Sequence, residues 1–416
     1  MARSITVNLS SPDIINMTGR WTFNKYLKVS YSWSNAPSGM KSTVPIDSNK
    51  YKPGDLVSVD NTMTATTAYK DESAKKYYKF SGWNKSGEFN ISSDTNISGS
   101  WDNGTTITPG WTTKNPNISN NVNICYGDGY FVTVANSESG GNTTSKISLY
   151  SSDGKTWKTS SLPTARKWTA ICYGNGKFVT FDFNSNYVAC GTISNGTLTW
   201  TETTCGSTNP YVTMALCYGN GKFVGLSNGS SSVKFVYSTN GTSWTVNTIA
   251  SGSFQAGCLC YGNGKFVGLG TNSNLYTSTD GTTWTVGSVS SVLSGAYGTI
   301  TYGNGKFIGV PSATGTNYIY STDGTSWTKG TLPSEGFHVV VFDSDNSLFI
   351  ITDKQFNAYT SSDGINWTLI ASRGSISTKI TITYGAAGGG IAVYVGNNNY
   401  CCRLEHSFPS EYNYVS

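Results

Sequence analysis

The sequence predicts a mainly β protein whose C-terminal part is a seven-bladed β-propeller. Tryptophans recur at intervals of 46, 43, 44, 40, 43 and 40 residues, at Trp111, Trp157, Trp200, Trp244, Trp284, Trp327 and Trp367. Five of them end a phrase of the form Ser-x-Asp/Asn-Gly-x-x-Trp. A second phrase, Cys-Tyr-Gly-Asn-Gly-Lys-Phe-Val, occurs at 172–179, 217–224 and 260–267. A period of about 40–45 residues built from short strands is typical of a propeller blade.

One well-preserved repeat, residues 213–248, shows how each blade is built. Residues 213–218 are an apolar run that fits a buried inner strand, and Asn220-Gly221 is a strong hairpin signal because both residue types tolerate positive φ. Residues 222–226 and 233–237 form the second and third strands. After the Asn240-Gly241 turn, Trp244 opens the fourth strand. Four antiparallel strands per repeat make one blade.

The seventh blade needs a strand from elsewhere in the chain. After Trp367 only three further strand-like segments remain, at 380–384, 391–395 and 400–404. Trp111 precedes the first Tyr-Gly-Asp-Gly turn by about the usual distance. We therefore predict that residues 105–113 supply the missing strand and close the ring, which leaves no free sheet edge.

Composition limits the classes of partner. Only 12% of the 416 residues are charged and 13% are aromatic, which indicates a β-rich protein with many tight turns rather than a disordered chain. The net charge of +5 is spread without a basic run, so no nucleic-acid partner is predicted. No secretory signal is visible near the first residues, and no apolar segment reaches the ~18 residues that span a bilayer. Membrane insertion is not expected.

The cysteines predict neither a metal site nor a disulfide framework. Their number, nine, is odd, and four of them, Cys125, Cys172, Cys217 and Cys260, recur at one position of the strand repeat. Equivalent positions of successive blades are too far apart to pair, so we expect small buried hydrophobes. Adjacent Cys401 and Cys402 lack the spacing of a zinc site. We expect no metal, no cofactor and folding in a reducing cytoplasm.

The phrase Ser-x-Asp-Gly-x-x-Trp resembles the Asp-box of sialidase-like propellers, shortened by one residue. The resemblance covers five repeats, while the second has Ser194-Asn195-Gly196 instead. Two interpretations exist for Asp153, Asp280, Asp323 and Asp363. They could be catalytic or calcium-binding carboxylates, or each could accept hydrogen bonds from its own turn while the Trp packs between sheets. We favour the second, because equivalent residues around a ring cannot converge on one ligand.

Residues 27–102 lack the Trp repeat and resemble the internalin-type B repeat, a β-grasp-like module. The resemblance rests on Tyr-Lys-Pro-Gly-Asp at 51–55, Phe-Ser-Gly-Trp-Asn at 80–84 and Trp101. The usual Leu-Tyr-Ala before the last Trp is replaced by Ile-Ser-Gly-Ser at 97–100. The resemblance implies a spacer or adhesion unit. We predict three segments: 1–26, with a strand at 5–9 that anchors the chain to another subunit; 27–102, the B-repeat-like domain; and 103–416, the propeller.

Catalytic chemistry is not indicated. Only two histidines, His338 and His406, are present, so a Ser-His-Asp triad or a multi-His metal site is not expected. Glycoside hydrolysis needs two carboxylates flanking the bond, and the candidates Glu202, Glu335 and Asp182 are scattered without a pairing signal. We predict no catalytic residue and no enzymatic activity.

Ligand-binding candidates lie in the irregular links between blades. The repeated turns share one face of a propeller, and the links and second-to-third-strand loops lie on the other. These links contain the candidates Trp168, Tyr211, Phe254, Tyr297, Phe337, Arg166 and Arg373. The aromatics could stack on sugar rings with arginine donors beside them, or they could plug the central channel and stiffen the ring. The second interpretation is favoured.

These observations lead to a functional hypothesis. An adhesin-type module, a closed propeller and no export signal together suggest a non-enzymatic bacteriophage structural protein assembled in the host cytoplasm. It would be displayed in several copies on the virion, as tail fibre, baseplate or head decoration. Its N-terminal region would contact other virion proteins, and its propeller would bind host surface carbohydrate or protein. The alternatives are a virion-associated glycan hydrolase and an intracellular protein-binding propeller. Fold alone does not establish function.

Overall fold

The computed structural model describes most of residues 26–415. The described ranges are 26–108, 110–114, 121–135, 144–183, 185–206, 212–229, 232–251, 254–312, 315–333, 337–353, 357–372, 380–383, 390–396, 400–405 and 409–415. The chain forms two compact units that divide between Ile107 and Thr108. The smaller unit takes in the C-terminal residues from Phe408 as well.

The smaller unit is built on one mixed β-sheet. Its strands are β1 (Val29–Ser34), β2 (Leu56–Ser58), β3 (Thr67–Asp71), β4 (Lys76–Trp83), β5 (Glu88–Asn90), β6 (Thr95–Trp101), β7 (Thr105–Thr106) and β36 (Asn413–Val415). The main sheet has the order β1-β6-β4-β3-β36, with β7 paired to β4, and β2 pairs with β5 separately. Side chains alternate between the two faces of a strand. One face therefore carries the core residues Val29, Ile97, Phe80 and Trp101, and the other carries mostly serines.

A strand from the C-terminal end completes this sheet. β36 runs parallel to β3, with Thr67 opposite Asn413 and Tyr69 opposite Val415. The ring of Tyr412 lies 5.7 Å from that of Tyr77 on β4. The predicted propeller segment, residues 103–416, includes these C-terminal residues, because a strand of three residues carries no pattern strong enough to detect.

In the described residues, the larger unit forms seven blades of four antiparallel strands each, and a short β18–β21 pairing joins blades 3 and 4 into one eight-stranded sheet. Blade 1 contains β9 (Asn121–Gly127), β10 (Tyr130–Ala135), β11 (Ser145–Ser151) and β12 (Lys158–Arg166). Blade 2 contains β13 (Trp168–Gly174), β14 (Lys177–Asp182), β15 (Tyr187–Ser194) and β16 (Thr197–Thr204). Blade 3 contains β17 (Val212–Gly219), β18 (Lys222–Gly229), β19 (Ser232–Ser238) and β20 (Thr245–Ser251). Blade 4 contains β21 (Phe254–Gly262), β22 (Lys265–Gly270), β23 (Asn274–Ser278) and β24 (Thr285–Ser288), with a 3-10 turn at Thr271–Ser273. Blade 5 contains β25 (Tyr297–Gly303), β26 (Lys306–Pro311), β27 (Asn317–Ser321) and β28 (Thr328–Thr331); blade 6 contains β29 (Phe337–Asp343), β30 (Leu348–Asp353), β31 (Ala358–Ser361) and β32 (Thr368–Ala371).

Blade 7 closes the ring with strands from two distant parts of the chain. It contains β33 (Ile380–Thr383), β34 (Gly390–Gly396), β35 (Tyr400–Glu405) and β8 (Gly110–Lys114), in that order. β8 is antiparallel to β35, with Trp111 opposite Leu404. The predicted mainly β propeller and its closure near Trp111 are confirmed. The closing strand begins at Gly110 rather than at residue 105, because Thr105–Thr106 pair with β4 of the smaller unit.

The inner strands of blades 1 to 5 each end in a glycine against which the next blade packs. A Cβ placed on Gly174 would lie 2.0 Å from the ring carbon Cγ of Tyr218, and one on Gly219 would lie 2.1 Å from that of Tyr261. The equivalent distance is 2.0 Å at Gly127 and at Gly262, and at Gly303 it is 2.2 Å to Cγ of Phe342. The glycine of the repeated Tyr-Gly pair thus leaves room for an aromatic ring of the next blade, and the two form an interlocking contact between neighbouring blades. The following Asn175-Gly176 pair adopts positive φ at both residues, 45° and 73°, as a tight hairpin requires.

Candidate functional site

The Asp of the repeated phrase is committed to its own turn. In blade 4, Asp280 Oδ1 accepts hydrogen bonds from the backbone N–H groups of Thr282 and Thr283, each at 2.7 Å. The hydroxyl of Ser278 donates to the same oxygen at 3.0 Å and accepts from the N–H of Gly281 at 2.8 Å. The same network recurs at Asp153, Asp323 and Asp363. These contacts agree with the turn-forming interpretation favoured from the sequence.

The Trp of the phrase packs between neighbouring blades. The ring of Trp244, in blade 3, lies 4.8 Å from that of Phe181 in blade 2 and 6.3 Å from that of Phe223 in its own blade. Trp284 makes the equivalent contacts with Phe235 and Phe266. Repeated large aromatic rings at the blade interfaces therefore contribute to the apolar core of the ring.

The turn contacts make propeller stability sensitive to acid. Burial raises the pKa of Asp153, but hydrogen bonds from the N–H groups of Thr156 and Lys155 outweigh this effect and lower the pKa to about 2. Hydrogen bonds from Thr283 and Thr282 lower the pKa of Asp280 well below its usual range. Because the folded-state pKa is depressed, this stabilisation is complete above the unfolded pKa of about 3.9 and is lost as the pH falls towards 2.

Replacing all four turn aspartates by asparagine should flatten this dependence. Blade 3 naturally has Asn240, whose Oδ1 accepts from the same two turn positions at 2.9 and 2.8 Å, so asparagine keeps the turn without the titrating group. We expect the Asp153→Asn/Asp280→Asn/Asp323→Asn/Asp363→Asn variant to lose less thermal stability between pH 5 and pH 2 than the unmodified chain. Melting temperatures across that range measure the effect. Parallel curves for the two proteins would contradict the assignment.

Cations and amides of the second phrase bind the neighbouring blade. Asn220 Nδ2 donates to the carbonyl oxygen of Thr279 at 3.3 Å, and Lys222 Nζ donates to that of Asp280 at 2.8 Å. Equivalent pairs join blades 2 and 3, 4 and 5, and 5 and 6, through Asn175 and Lys177, Asn263 and Lys265, and Asn304 and Lys306. These contacts place the two repeated turns side by side on one face of the propeller and make them structural.

Blades 1 and 2 depart from this scheme together. In blade 2, Asn195 and Gly196 form a two-residue turn with positive φ at both residues. Trp200 consequently lies within β16 and donates to the hydroxyl of Ser148 in blade 1 at 2.9 Å. The facing turn of blade 1 has Tyr130 where blades 2 to 5 have lysine, and its hydroxyl lies near Gly196. The missing lysine and the missing Asp turn thus occur on the two sides of one interface.

A charged cluster lies on the opposite face, between blades 1 and 2. Arg166, at the end of β12, donates from Nε and Nη2 to the two carboxylate oxygens of Glu202, both at 3.0 Å. Its Nη1 lies 3.8 Å from Asp182 Oδ2. The guanidinium carbon lies 3.4 Å from the ring centre of Tyr187. Glu202 and Asp182 had no pairing signal in the sequence, yet the fold brings both to one arginine.

The cluster is largely buried and its charges are satisfied. The side chains of Arg166, Asp182 and Glu202 are 17%, 6% and 16% exposed. Burial lowers the pKa of Arg166, but the hydrogen bonds and charge of Glu202, followed by the charge of Asp182, reverse this effect and raise it. The hydroxyl of Ser185 also donates to Asp182. The two carboxylates are therefore engaged in ion pairing rather than poised as a free acid and base.

Breaking this cluster should destabilise the propeller measurably. We expect Glu202→Gln to cost about 2–3 kcal/mol, because it leaves a largely buried guanidinium with a weaker partner. Glu72→Gln provides the control, since its ion pair with Lys70 is exposed and should contribute less than about 1 kcal/mol. Denaturant unfolding of both variants measures the difference. Equal small losses would show that the cluster does not join the two blades.

The structure separates the predicted ligand-binding residues. Trp168 and Tyr297 are fully buried, at 0% and 2% exposure, and their polar atoms donate to the carbonyls of Thr164 and Leu293 at 3.3 and 2.7 Å. Both rings are thus covered by protein, as the stiffening interpretation expects. Phe254 and Phe337 begin the inner strands β21 and β29, but their side chains lie outside the described residues, as do Tyr211 and Arg373.

Most of the described cysteines are buried, as expected, whereas Cys217 and Cys260 are partly exposed. Cys125, Cys172, Cys190, Cys205, Cys217, Cys258 and Cys260 are all free. Burial raises the thiol pKa at Cys190 and at Cys205 to about 11 in each case. Within the described ranges, no three His, Cys, Asp or Glu side chains come together to hold a metal ion. The same part of the chain contains no helix with the length and apolar character needed to cross a membrane.

Comparison with solved structures shows the same fold class. Virginiamycin B lyase from Staphylococcus aureus superposes with a TM-score of 0.56 at 13% identity, covering 71% of this chain and 99% of the lyase. YCF48 bound to D1 peptide gives 0.53 at 12% identity, covering 72% and 96%. The WD40 propeller domain of Doa1 gives 0.53 at 9% identity, covering 73% and 98%. No protein-family model and no curated protein sequence matches the chain.

The fold and these similarities place the larger unit among the β-propellers. The solved structures include a lyase and a peptide-bound propeller, and at such low identity they share the architecture alone. The site must therefore be argued from this chain's own residues.

Proposed function

We propose that the chain is a non-enzymatic binding protein whose propeller recognises its ligand through the irregular links opposite the repeated turns. One observation carries the proposal: polar side chains of the repeated turns are hydrogen-bonded within the propeller itself. In turn aspartates such as Asp280, Oδ1 accepts hydrogen bonds from two backbone N–H groups, and lysines such as Lys222 are bonded to the next blade. Recognition then depends on residues that differ from blade to blade.

The absence of a catalytic role is part of the proposal. Glu202 and Asp182, the two acidic residues that the fold brings together, share Arg166. A general acid or base must lie within hydrogen-bond reach of a substrate, whereas both carboxylates of this cluster are engaged by Arg166. Binding without turnover fits this arrangement better than hydrolysis.

We further propose a surface glycan or protein of a bacterial host as the ligand and a bacteriophage particle as the setting. The B-repeat-like sequence of residues 27–102 and the lightly charged, hydroxyl-rich composition support this proposal. Mass spectrometry of purified virions tests the setting. Recovery of the chain in stoichiometric amounts supports display, and its confinement to the soluble host lysate would favour the intracellular protein-binding alternative.

The ligand-binding face is tested with paired surface variants. The link variant, Ala165→Glu/Ser291→Glu, changes two exposed positions: Ala165 lies at the end of β12 beside the link into blade 2, and Ser291 lies in the link between blades 4 and 5. The turn variant, Thr283→Glu/Ser326→Glu, changes exposed positions of the repeated turns. The full chain is applied to an array of bacterial surface polysaccharides and to immobilised host envelope proteins, with release of reducing sugar followed in parallel. We expect only the link variant to lose binding, by tenfold or more, with no sugar released. Loss in the turn variant alone would reject the proposed face, and released sugar would reject the non-enzymatic role.

A further inference from the structure

The smaller unit contains a concave groove that no residue of the propeller forms. Its volume is about 540 Å³. It is lined by Ser32 and Ser34 of β1, Ser98 and Ser100 of β6, Ser81 of β4 and Asn84, together with Trp33 and Trp83. Ser32 lies opposite Ser98 and Ser34 opposite Ser100 in the β1–β6 ladder, so these four hydroxyl groups share one face of the sheet.

An irregularity in β4 shapes the groove. The pairing of β4 with β6 shifts by one residue between Phe80 and Trp83, and Gly82 within this bulge has φ of +88°. A bulge bends its strand and redirects the flanking side chains, and such features are common beside binding sites. Beside the bulge, Trp83 lies nearly parallel to Trp33, with an angle of 12° and 6.4 Å between ring centres. Both indoles are half-buried.

The polar groups of the groove are held in place with capacity to spare. Asn84 pairs with β6 like a strand residue: its N–H donates to the Ser98 carbonyl at 2.8 Å, and its Oδ1 accepts from the Ser98 N–H at 2.9 Å. The Asn84 amide NH₂ is thereby left to donate elsewhere. Ser32 Oγ accepts from Asn96 Nδ2 at 2.8 Å, which leaves its hydroxyl proton available.

We propose that this groove binds a neutral oligosaccharide. Its lining combines hydroxyl and amide side chains and contains no charged residue, whereas the indoles of Trp33 and Trp83 pack against Phe80 on the opposite face of the sheet. Such a lining matches a ligand that carries many hydroxyl groups and no charge. Its volume lies within the range of about 300–1,000 Å³ that is usual for small-ligand sites. The proposal concerns a second site, on the other unit, and does not depend on what the propeller binds.

The test measures binding of defined sugars to the full chain. The probes are chitotriose, cellotriose and maltotriose as neutral trisaccharides, and trigalacturonate as a charged comparison, each titrated calorimetrically. Ser34→Lys places a bulky charge in the groove at an exposed position. Ser30→Lys is the matched control, because it lies on the same face of the same strand, is also exposed and does not line the groove.

We expect at least one neutral trisaccharide to bind, with affinity reduced tenfold or more by Ser34→Lys and unchanged by Ser30→Lys. Equal melting temperatures of the two variants establish that both remain folded. The proposal is overturned if none of the neutral sugars binds at millimolar concentration, if trigalacturonate alone binds, or if both variants bind alike. A polar peptide that competes at the groove while the sugars do not would overturn it too. The link variant Ala165→Glu/Ser291→Glu should bind the trisaccharide normally, which separates this result from the outcome for the propeller.

Discussion

Replacing Gly174 by alanine should destabilise the propeller by about 3 kcal/mol. A Cβ at this position would lie 2.0 Å from Cγ of Tyr218 and 2.3 Å from its Cδ2, well inside contact distance. The ring cannot withdraw freely, because Tyr218 also packs 4.8 Å from Phe223. Overpacking of a filled interior typically costs 1–3 kcal/mol, and this site is at the severe end of that range. Denaturant-induced unfolding of the purified variant measures the loss.

A matched glycine provides the control. Gly287, in the outer strand β24, is exposed, and a Cβ there would meet only Leu275 at 3.8 Å. Gly287→Ala should therefore be neutral or slightly stabilising, since alanine restricts the unfolded chain. In a Tyr218→Ala background, Gly174→Ala should cost much less than in the unmodified chain. Equal costs in the two backgrounds would show that the interlocking contact is not the cause.

This glycine illustrates what could be predicted from the sequence. The repeat predicted the blade, its four strands and the positive-φ turn at Asn175-Gly176, because period and turn chemistry are local properties. Gly174 itself carried no such signal. Its requirement arises from a tyrosine 44 residues later, on the next blade, so only the assembled ring explains it.

The candidate site was less predictable than the blades, because its contacts also join residues that lie far apart in the sequence. Arg166 was selected as a ligand donor because it lies in an irregular link, whereas its partner Glu202 lies 36 residues away at the far end of another blade. Trp168 and Tyr297 were predicted in the links between blades, whereas they are the first residues of the inner strands β13 and β25. The pattern could not show which side of each strand was covered. The groove of the smaller unit depends on a bulge at Gly82, and a single glycine within a strand does not by itself show that the strand shifts its pairing register there.

The second large effect on stability is expected from a disulfide between the two strands that close the propeller ring. In the β8–β35 ladder, Thr113 lies opposite Cys402 and Thr112 lies opposite Arg403. Directly paired residues of antiparallel strands have Cβ atoms about 4.5–5.5 Å apart, close to disulfide geometry. Thr113→Cys should therefore form a disulfide with Cys402 under mild oxidation, whereas Thr112→Cys, with no cysteine opposite and on the other face, should not.

The lock should raise propeller stability by roughly 3–5 kcal/mol, because it closes a very long loop in the unfolded chain. Peptide mapping under non-reducing conditions identifies the linked pair, and melting temperatures with and without reductant measure the gain. Reduction should return the Thr113→Cys variant to the stability of the unmodified protein, and Thr112→Cys should show no dependence on reductant. The fourth strand of blade 7, β8, comes from the chain before the first repeat. A disulfide at this register and at no other would establish that β8 pairs with β35 and closes the ring, as the strand count requires. Crosslinking of Thr112→Cys instead would mean that β8 pairs one residue out of register, with every side chain on the opposite face.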